Sequence, residues 1–243
     1  MMGDIVAEIA PSGILRAGIN MSNPLLVTGR TESGDPAGVS PDMARAIAER
    51  LGVQVKYVQF PSPGALADAI GEDAYDIGLI AAEPARAETI AFTAAYVEIE
   101  ATYLVPAGSP LQAIAQVDRP SVRIAISDRS AYDLYLSRTL EHGELHRAKG
   151  LAGALELFSS EKLDALAGLR PALLEDIKGL PGARILDGNY TTVQQAIGTQ
   201  PRNTAAAAFL RDFVAEAKSS GLVAQLIERH GVEGRLLVAT DDS

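Results

Sequence analysis

Arg86 is the residue of this sequence best placed to hold a charged ligand. It closes the stretch Asp76–Arg86, DIGLIAAEPAR, which reads as a short apolar strand, a loop carrying Pro84 and then one cation. The tight run Ile90-Ala91-Phe92-Thr93 leads on to Tyr96. In open α/β sheets, ligands bind at loops beyond the carboxyl ends of strands. An arginine there can grip a carboxylate through two parallel, charge-assisted hydrogen bonds. A surface arginine capping a helix would have the same spacing. Asn20 and Asn23, in the turn Asn20-Met21-Ser22-Asn23-Pro24, carry donors and acceptors for a ligand, and they suit self-satisfied Asx-turns equally well. Ser130 ends the turn Ser127-Asp128-Arg129-Ser130 just before a helix, where the first amides favour an anion. It would also serve as a simple cap, and Arg129 adds a second cation. Arg170 follows the apolar run Leu166–Leu169 at a helix start, where a cation sits unfavourably in the helix dipole.

Other chemistries find little support. No G-x-S-x-G, G-x-x-x-x-G-K or G-x-G-x-x-G pattern occurs. His142 and His146, four apart, could share a helix face, but zinc wants a further ligand and a solvated surface is the better reading. His230 reads as a C-terminal helix cap. No catalytic residue, metal site or cofactor is expected.

Short strands alternating with helices must position these groups, which makes the chain α/β. Strands are expected at Leu15–Asn20, Val53–Phe60, Asp76–Ile80 and Thr102–Val105. Helices are expected at Asp4–Ala10, from a capping Ser40 to Leu51 with a stop at Gly52, and at Ala65–Ile70. After the Pro106–Pro110 break a second unit starts near Val122. It has strands at Arg123–Ile126, Leu163–Leu169, Ala183–Leu186 and Val193–Thr199, and helices at Ser130–Leu140, Leu151–Phe158 and Pro171–Ile177. The long helix Thr204–Ser220, with Ala207, Leu210, Phe213, Val214 and Ala217 at helical spacing, is followed by Leu222–Arg229.

The chain has 243 residues, 47% of them hydrophobic, with a formal net charge of -10 and no cysteine. That length allows one large or two small domains. The acidity argues against nucleic-acid binding yet permits a locally positive pocket. Disulfides and thiolate chemistry are excluded. No apolar run approaches the roughly 20 residues of a membrane span. Residues 1–12 lack a basic n-region and a long apolar core, so they do not read as a secretory signal. Either a signal was removed or the protein is not exported, and the short amphipathic helix ended by Pro11 favours a native start.

The Asp76–Tyr96 block, with its Asp-led strand, Arg86 and Phe92-Thr93, resembles the family 3 extracellular solute-binding proteins, the amino-acid-binding type that serves ABC importers. The resemblance runs from about residue 13 to 235. It implies a type II periplasmic-binding-protein-like fold of two α/β lobes joined by two crossings. Lobe one would be residues 1–106 and 197–243, and lobe two 107–196. It also implies a small-molecule ligand that stabilises a closed hinge state, an ABC permease as partner, and a periplasmic location without membrane insertion. Arg86 would clamp the ligand's carboxylate, and Ser130 with its helix-start amides would meet it from lobe two. Pro24 is kept, but Leu25 stands where an aromatic is common. Around Ala81, in Ile80-Ala81-Ala82-Glu83, the family's hydroxyls are gone and only backbone N–H groups remain, while Glu83 could pair with Arg86. Leu169 and Arg170 stand where amino-acid binders carry the aspartate that holds the ammonium. Glu100 is a weaker substitute for it. The expected ligand is therefore a carboxylic acid without the amine, a keto acid or a dicarboxylate. Some proteins resembling this family are dehydratases of prephenate or arogenate, for which Glu83, Glu100 and Glu175 are the acids available. A cytoplasmic ligand sensor is a third reading.

Overall fold

A computed structural model describes residues 2–240. In chain order it contains α1 (Met2–Ile9), β1 (Ile14–Asn20), β2 (Gly29–Arg30), β3 (Pro36–Ala37), α2 (Val39–Leu51), β4 (Gln54–Phe60), α3 (Pro63–Asp68), β5 (Ile77–Ala81), α4 (Pro84–Ala87), β6 (Ala91–Phe92) and β7 (Val97–Val105). There follow β8 (Arg123–Ser127), α5 (Ala131–Thr139), β9 (Glu144–Ala148), α6 (Gly150–Ser160), β10 (Ala165–Leu169), α7 (Arg170–Asp176), β11 (Arg184–Ile185), β12 (Thr191–Thr199), α8 (Thr204–Ser219), α9 (Leu222–Arg229) and β13 (Leu237–Val238). The chain forms two compact units. Unit 1 holds the residues up to Glu98 and those from Gln194 on, and unit 2 holds Ile99–Val193. The chain thus leaves unit 1 within β7 and returns within β12, and the Pro106–Pro110 segment lies inside unit 2.

In unit 1, β1 pairs in parallel with β4 on one side and β5 on the other. The end of β12 runs antiparallel to β5, with Gln195 opposite Ala81 and Thr199 opposite Ile77. All five residues of β5 are buried, the continuous apolar run that a strand covered on both faces requires. Gly18 of β1 and Gly78 of β5 are partners in register. A Cβ on either would come within about 3 Å of the buried Tyr75 ring. That ring fills the space, and its hydroxyl donates to the Leu66 carbonyl at 2.9 Å.

One ion pair ties these strands together at their amino ends. The Asp76 carboxylate accepts from the Arg16 backbone N–H and from its Nη2, both at 2.7 Å. In return the Asp76 N–H donates to the Arg16 carbonyl at 2.9 Å. Unit 2 repeats the device. Its sheet runs β7, β10, β8, β9, with β10 antiparallel to β7 and parallel to β8, and β8 parallel to β9. There Arg123, the first residue of β8, donates its N–H to the Asp164 carboxylate at 2.8 Å, and the Asp164 N–H donates to the Arg123 carbonyl at 2.9 Å. The unit 2 core packs Leu104, Ala125, Ala154, Phe158, Leu163, Leu166 and Leu173.

The structure corrects two local expectations. The helix expected to start with a capping Ser40 begins at Val39, with Gly38 as its N-cap and no side-chain cap. The Ser40 amide already has a partner in the Leu26 carbonyl, and the Ser40 hydroxyl lies 2.8 Å from the buried Tyr96 hydroxyl. His142 and His146 do not share a helix face. His146 lies on the edge strand β9, which pairs with β8 and carries mixed exposure, so its sequence shows no clean period. The two-residue strands β2, β3, β6 and β13 are too short to leave a periodic signal.

Gly38 has φ 154° and ψ -177°, a region essentially reserved for glycine. A Cβ there would stand 2.2 Å from the Leu26 carbonyl oxygen. Gly38→Ala should therefore cost about 2–4 kcal/mol of stability in urea denaturation. A loss below about 0.5 kcal/mol would show that the loop yields freely. At the end of α7, burial raises the Asp176 carboxyl above its ordinary range, with a smaller push from Glu175. A raised acid holds its proton more tightly folded than unfolded, so its stabilising contribution is full at low pH and is lost as pH rises. Asp176→Asn should melt above the parent at pH 7, with the gap closing below about pH 4. A gap that does not change with pH would rule out this linkage.

Candidate functional site

In unit 1, β1 and β5 are parallel neighbours, so their carboxyl ends lie on one edge of the sheet. Asn20 ends β1, Ala81 ends β5, and Arg86 follows on α4. Arg86 is 5% exposed rather than a surface cap. Its Nη1 donates to the Ala81 carbonyl at 2.9 Å, which fixes the guanidinium against the strand it follows. The backbone at this edge is largely committed, because the Ala82 N–H donates to the Gln194 carbonyl at 2.8 Å. Ala81 thus orients Arg86 through its carbonyl. Asn20 Oδ1 accepts from the Ser22 N–H and hydroxyl, and Asn23 Oδ1 accepts from the Leu25 N–H. Both form Asx-turns through the carbonyl oxygen. The Nδ2 donors of both have no partner among the described residues.

In unit 2 the parallel pair is β8 and β10, again with both carboxyl ends on one edge. The Ser127–Ser130 turn follows β8. Arg129 there has φ 55°, a left-handed conformation uncommon outside glycine. Ser130 is the N-cap of α5, and its hydroxyl accepts from the Asp133 N–H at 3.1 Å. That bond uses an oxygen lone pair and leaves the hydroxyl proton free to donate. Leu169 ends β10 and is buried. Arg170 begins α7, and its Nε donates to Glu100 Oε2 at 2.6 Å while its Nη2 donates to the Gly188 carbonyl. Glu100, considered as a partner for an ammonium, is thus already partnered by an arginine.

Two features of this edge go beyond the candidates named from the sequence. Asp133, 3% exposed, accepts from the Arg129 N–H at 2.8 Å and from Arg147 Nε at 3.0 Å. It therefore holds the turn that carries Ser130. The spacing Ser130-x-x-Asp133, a capping-box pattern, was a readable signal for it. Around the same helix start, the hydroxyls of Tyr132 and Tyr190 are buried without a hydrogen bond of good geometry. Burial raises both, and Ser130 and Ser127 act on Tyr132 in the opposite sense.

The remaining candidates fall elsewhere. Glu175 pairs with Lys178. His230 caps α9 as expected, and its Nε2 lies 2.9 Å from Asp42 Oδ2. Among the described residues there is no cluster of three or more acidic or histidine side chains able to hold a metal, and no helix long and apolar enough to cross a membrane.

Comparison with solved structures finds the same architecture. The L-cysteine solute receptor of Neisseria gonorrhoeae is 19% identical, with a TM-score of 0.77 over 96% of this chain and 99% of that one. A mutant of the ArgBP protein of T. maritima is 21% identical, with a TM-score of 0.75 over 94% and 100%. An ancestral amino-acid-binding protein, described as a precursor of cyclohexadienyl dehydratase, is 20% identical, with a TM-score of 0.74 over 92% and 98%. No curated protein matches the chain in sequence. The sequence model of the bacterial extracellular solute-binding proteins, family 3, matches residues 15–233, so the chain belongs to that family.

Proposed function

We propose that this protein captures a small carboxylate-bearing ligand without an α-ammonium and delivers it to an ABC-type importer on the outer side of the cytoplasmic membrane. Arg86 carries the reading. A guanidinium buried beyond the carboxyl end of β5 and fixed by the Ala81 carbonyl has the charge and the planar donor chemistry that suit a carboxylate. Little side-chain entropy remains to be lost when the ligand arrives. Asn20 and Asn23 add their amide donors from the same unit. Within unit 2, Ser130 is held in place by Asp133 and offers a hydroxyl at a helix start, with the positive charge of Arg129 beside it.

The unit 2 edge supports a ligand without an amine. Leu169 offers no charge, and the Glu100 carboxylate is paired with Arg170. Desolvating an ammonium without a matching anion costs several kcal/mol. Two of the solved structures above are described as a receptor for L-cysteine and an amino-acid-binding protein, which is a statement about those proteins. This chain departs from such ligands at the residues that would hold the ammonium.

Binding rather than catalysis also fits two of the three acids named from the sequence. Glu100 and Glu175 are both in ion pairs. Asp176, which burial does raise, lies at the far end of α7 from the strand-end edge.

Arg86→Ala should weaken ligand binding by about 2–5 kcal/mol in isothermal titration, the usual cost of removing one partner of a buried charge pair. A ligand found first by thermal shift, where a concentration a hundred times Kd adds about 2.7 kcal/mol of stability, would serve as the titrant. An affinity unchanged in the variant would remove Arg86 from the site.

A further inference from the structure

The hydroxyls of Tyr132 and Tyr190 are both buried with no hydrogen-bond partner among the described residues. We propose that the two hold one internal water molecule between them, with the Ser127 hydroxyl as its third partner. The water ties the start of α5, the helix that Ser130 caps, to the segment that leads into β12. The site lies wholly within unit 2 and stands apart from the Arg86 reading.

Placement brings the two phenols together. Tyr132 is the second residue of α5 and is 3% exposed. Tyr135, one turn further along the same helix, stacks on the Tyr190 ring, with centroids 6.1 Å apart and planes at 23°. The Tyr190 ring also meets the buried Tyr103 ring of β7 at 4.5 Å. Its backbone is pinned to that strand as well, because the Tyr190 N–H donates to the Ala101 carbonyl at 3.0 Å. The Tyr190 phenol is thus held between α5 and β7, with little freedom to carry its hydroxyl to solvent. Tyr132 lies within electrostatic reach of Tyr190, and Ser127 and Ser130 lie within reach of Tyr132.

Hydrogen-bond capacity asks for a guest. Burial raises both phenols above their ordinary range, so each keeps its proton at neutral pH and offers one donor beside its lone pairs. A buried hydroxyl without a partner forfeits the hydrogen bonds it made to water in the unfolded chain. Folded interiors relieve such groups with ordered water that has two to four polar partners. The nearby Asp133 carboxylate is committed elsewhere, to the Arg129 N–H, the Arg147 guanidinium and the Ser137 hydroxyl.

Charge selects water over an ion. An anion beside the phenols would face Asp133, which acts on both of them. A cation would face the Arg147 guanidinium, 3.0 Å from that same carboxylate. Either would also have to be stripped of its own water. A water molecule carries no charge, and like the phenols it both donates and accepts.

A high-resolution crystal structure and a double-mutant cycle of Tyr132→Phe and Tyr190→Phe test the proposal. The structure should show density for one water within hydrogen-bond distance of both hydroxyls. In urea denaturation each single variant should lower the midpoint, because it takes one partner from the water. The double variant should lose clearly less than the sum of the two, because the second change acts on a bridge already broken. Both changes keep the ring and nearly all of its volume, so the variants should fold, as circular dichroism can verify. Removing a hydroxyl that has no partner is neutral or stabilising. A midpoint unchanged or raised in either single variant therefore overturns the water. Strictly additive losses overturn it too, as does a crystal structure in which the two hydroxyls touch directly or have no density between them.

Discussion

Asp76 holds the first unit in register, and the position of Arg86 depends on it. Its carboxylate takes the backbone N–H and the guanidinium of Arg16 on β1, and that hydrogen bond raises the already high pKa of Arg16 against the opposing effect of burial. Its carbonyl accepts from Thr199 Oγ1 on β12, and Thr199 in turn accepts from Asn203 just before α8. One residue thus joins three strands and the start of a helix. In a sheet, a slip of one residue moves every side chain to the opposite face. Here such a slip would also carry the loop after β5, and Arg86 with it, out of place. Asp76 is 6% exposed, so most of this grip is shielded from water and salt.

The second unit uses the same arrangement with less burial. Arg123 and Asp164 are both about 40% exposed, so their pairing contributes mainly geometry and little energy. More of the second unit's stability must then come from its apolar cluster around Phe158 and Leu166. The turn after β8 depends instead on Asp133, whose carboxylate satisfies the Arg129 amide and the Arg147 guanidinium together. Burying that acid is tolerable because each of its oxygens has a partner.

Much of this was legible in the sequence because it rests on local signals. The unbroken apolar run of β5, the left-handed glycines Gly52 and Gly221 at helix boundaries, and the capping Ser130 each state their role within a few residues. The placement of Arg86 beyond a strand was readable for the same reason. Ser40 misled because Ser-Pro-Asp is a strong helix-start pattern, whereas the real constraint is a close approach of Gly38 to Leu26, twelve residues away in the chain and invisible to a local reading. Edge strand β9 carries charges among its apolar positions and so matched neither period. The pairing of Glu100 with Arg170 joins residues 70 apart. Each was named from its own neighbourhood, and only the fold shows that each neutralises the other.

The Arg–Asp clamps sit at the amino ends of the strands, and the residues proposed for recognition sit at the carboxyl ends. Strands β5 and β10 are five residues long, which separates the two sets by about 16 Å. Changes at Leu169, Arg170 or Ser130 therefore leave the clamps untouched, and substitutions that are far apart tend to act independently. A scaffold built this way can exchange one ligand for another over evolutionary time without first surrendering its fold. It also gives a designer of biosensors a strand-end edge that can be rewritten while the clamps continue to hold the sheets in register.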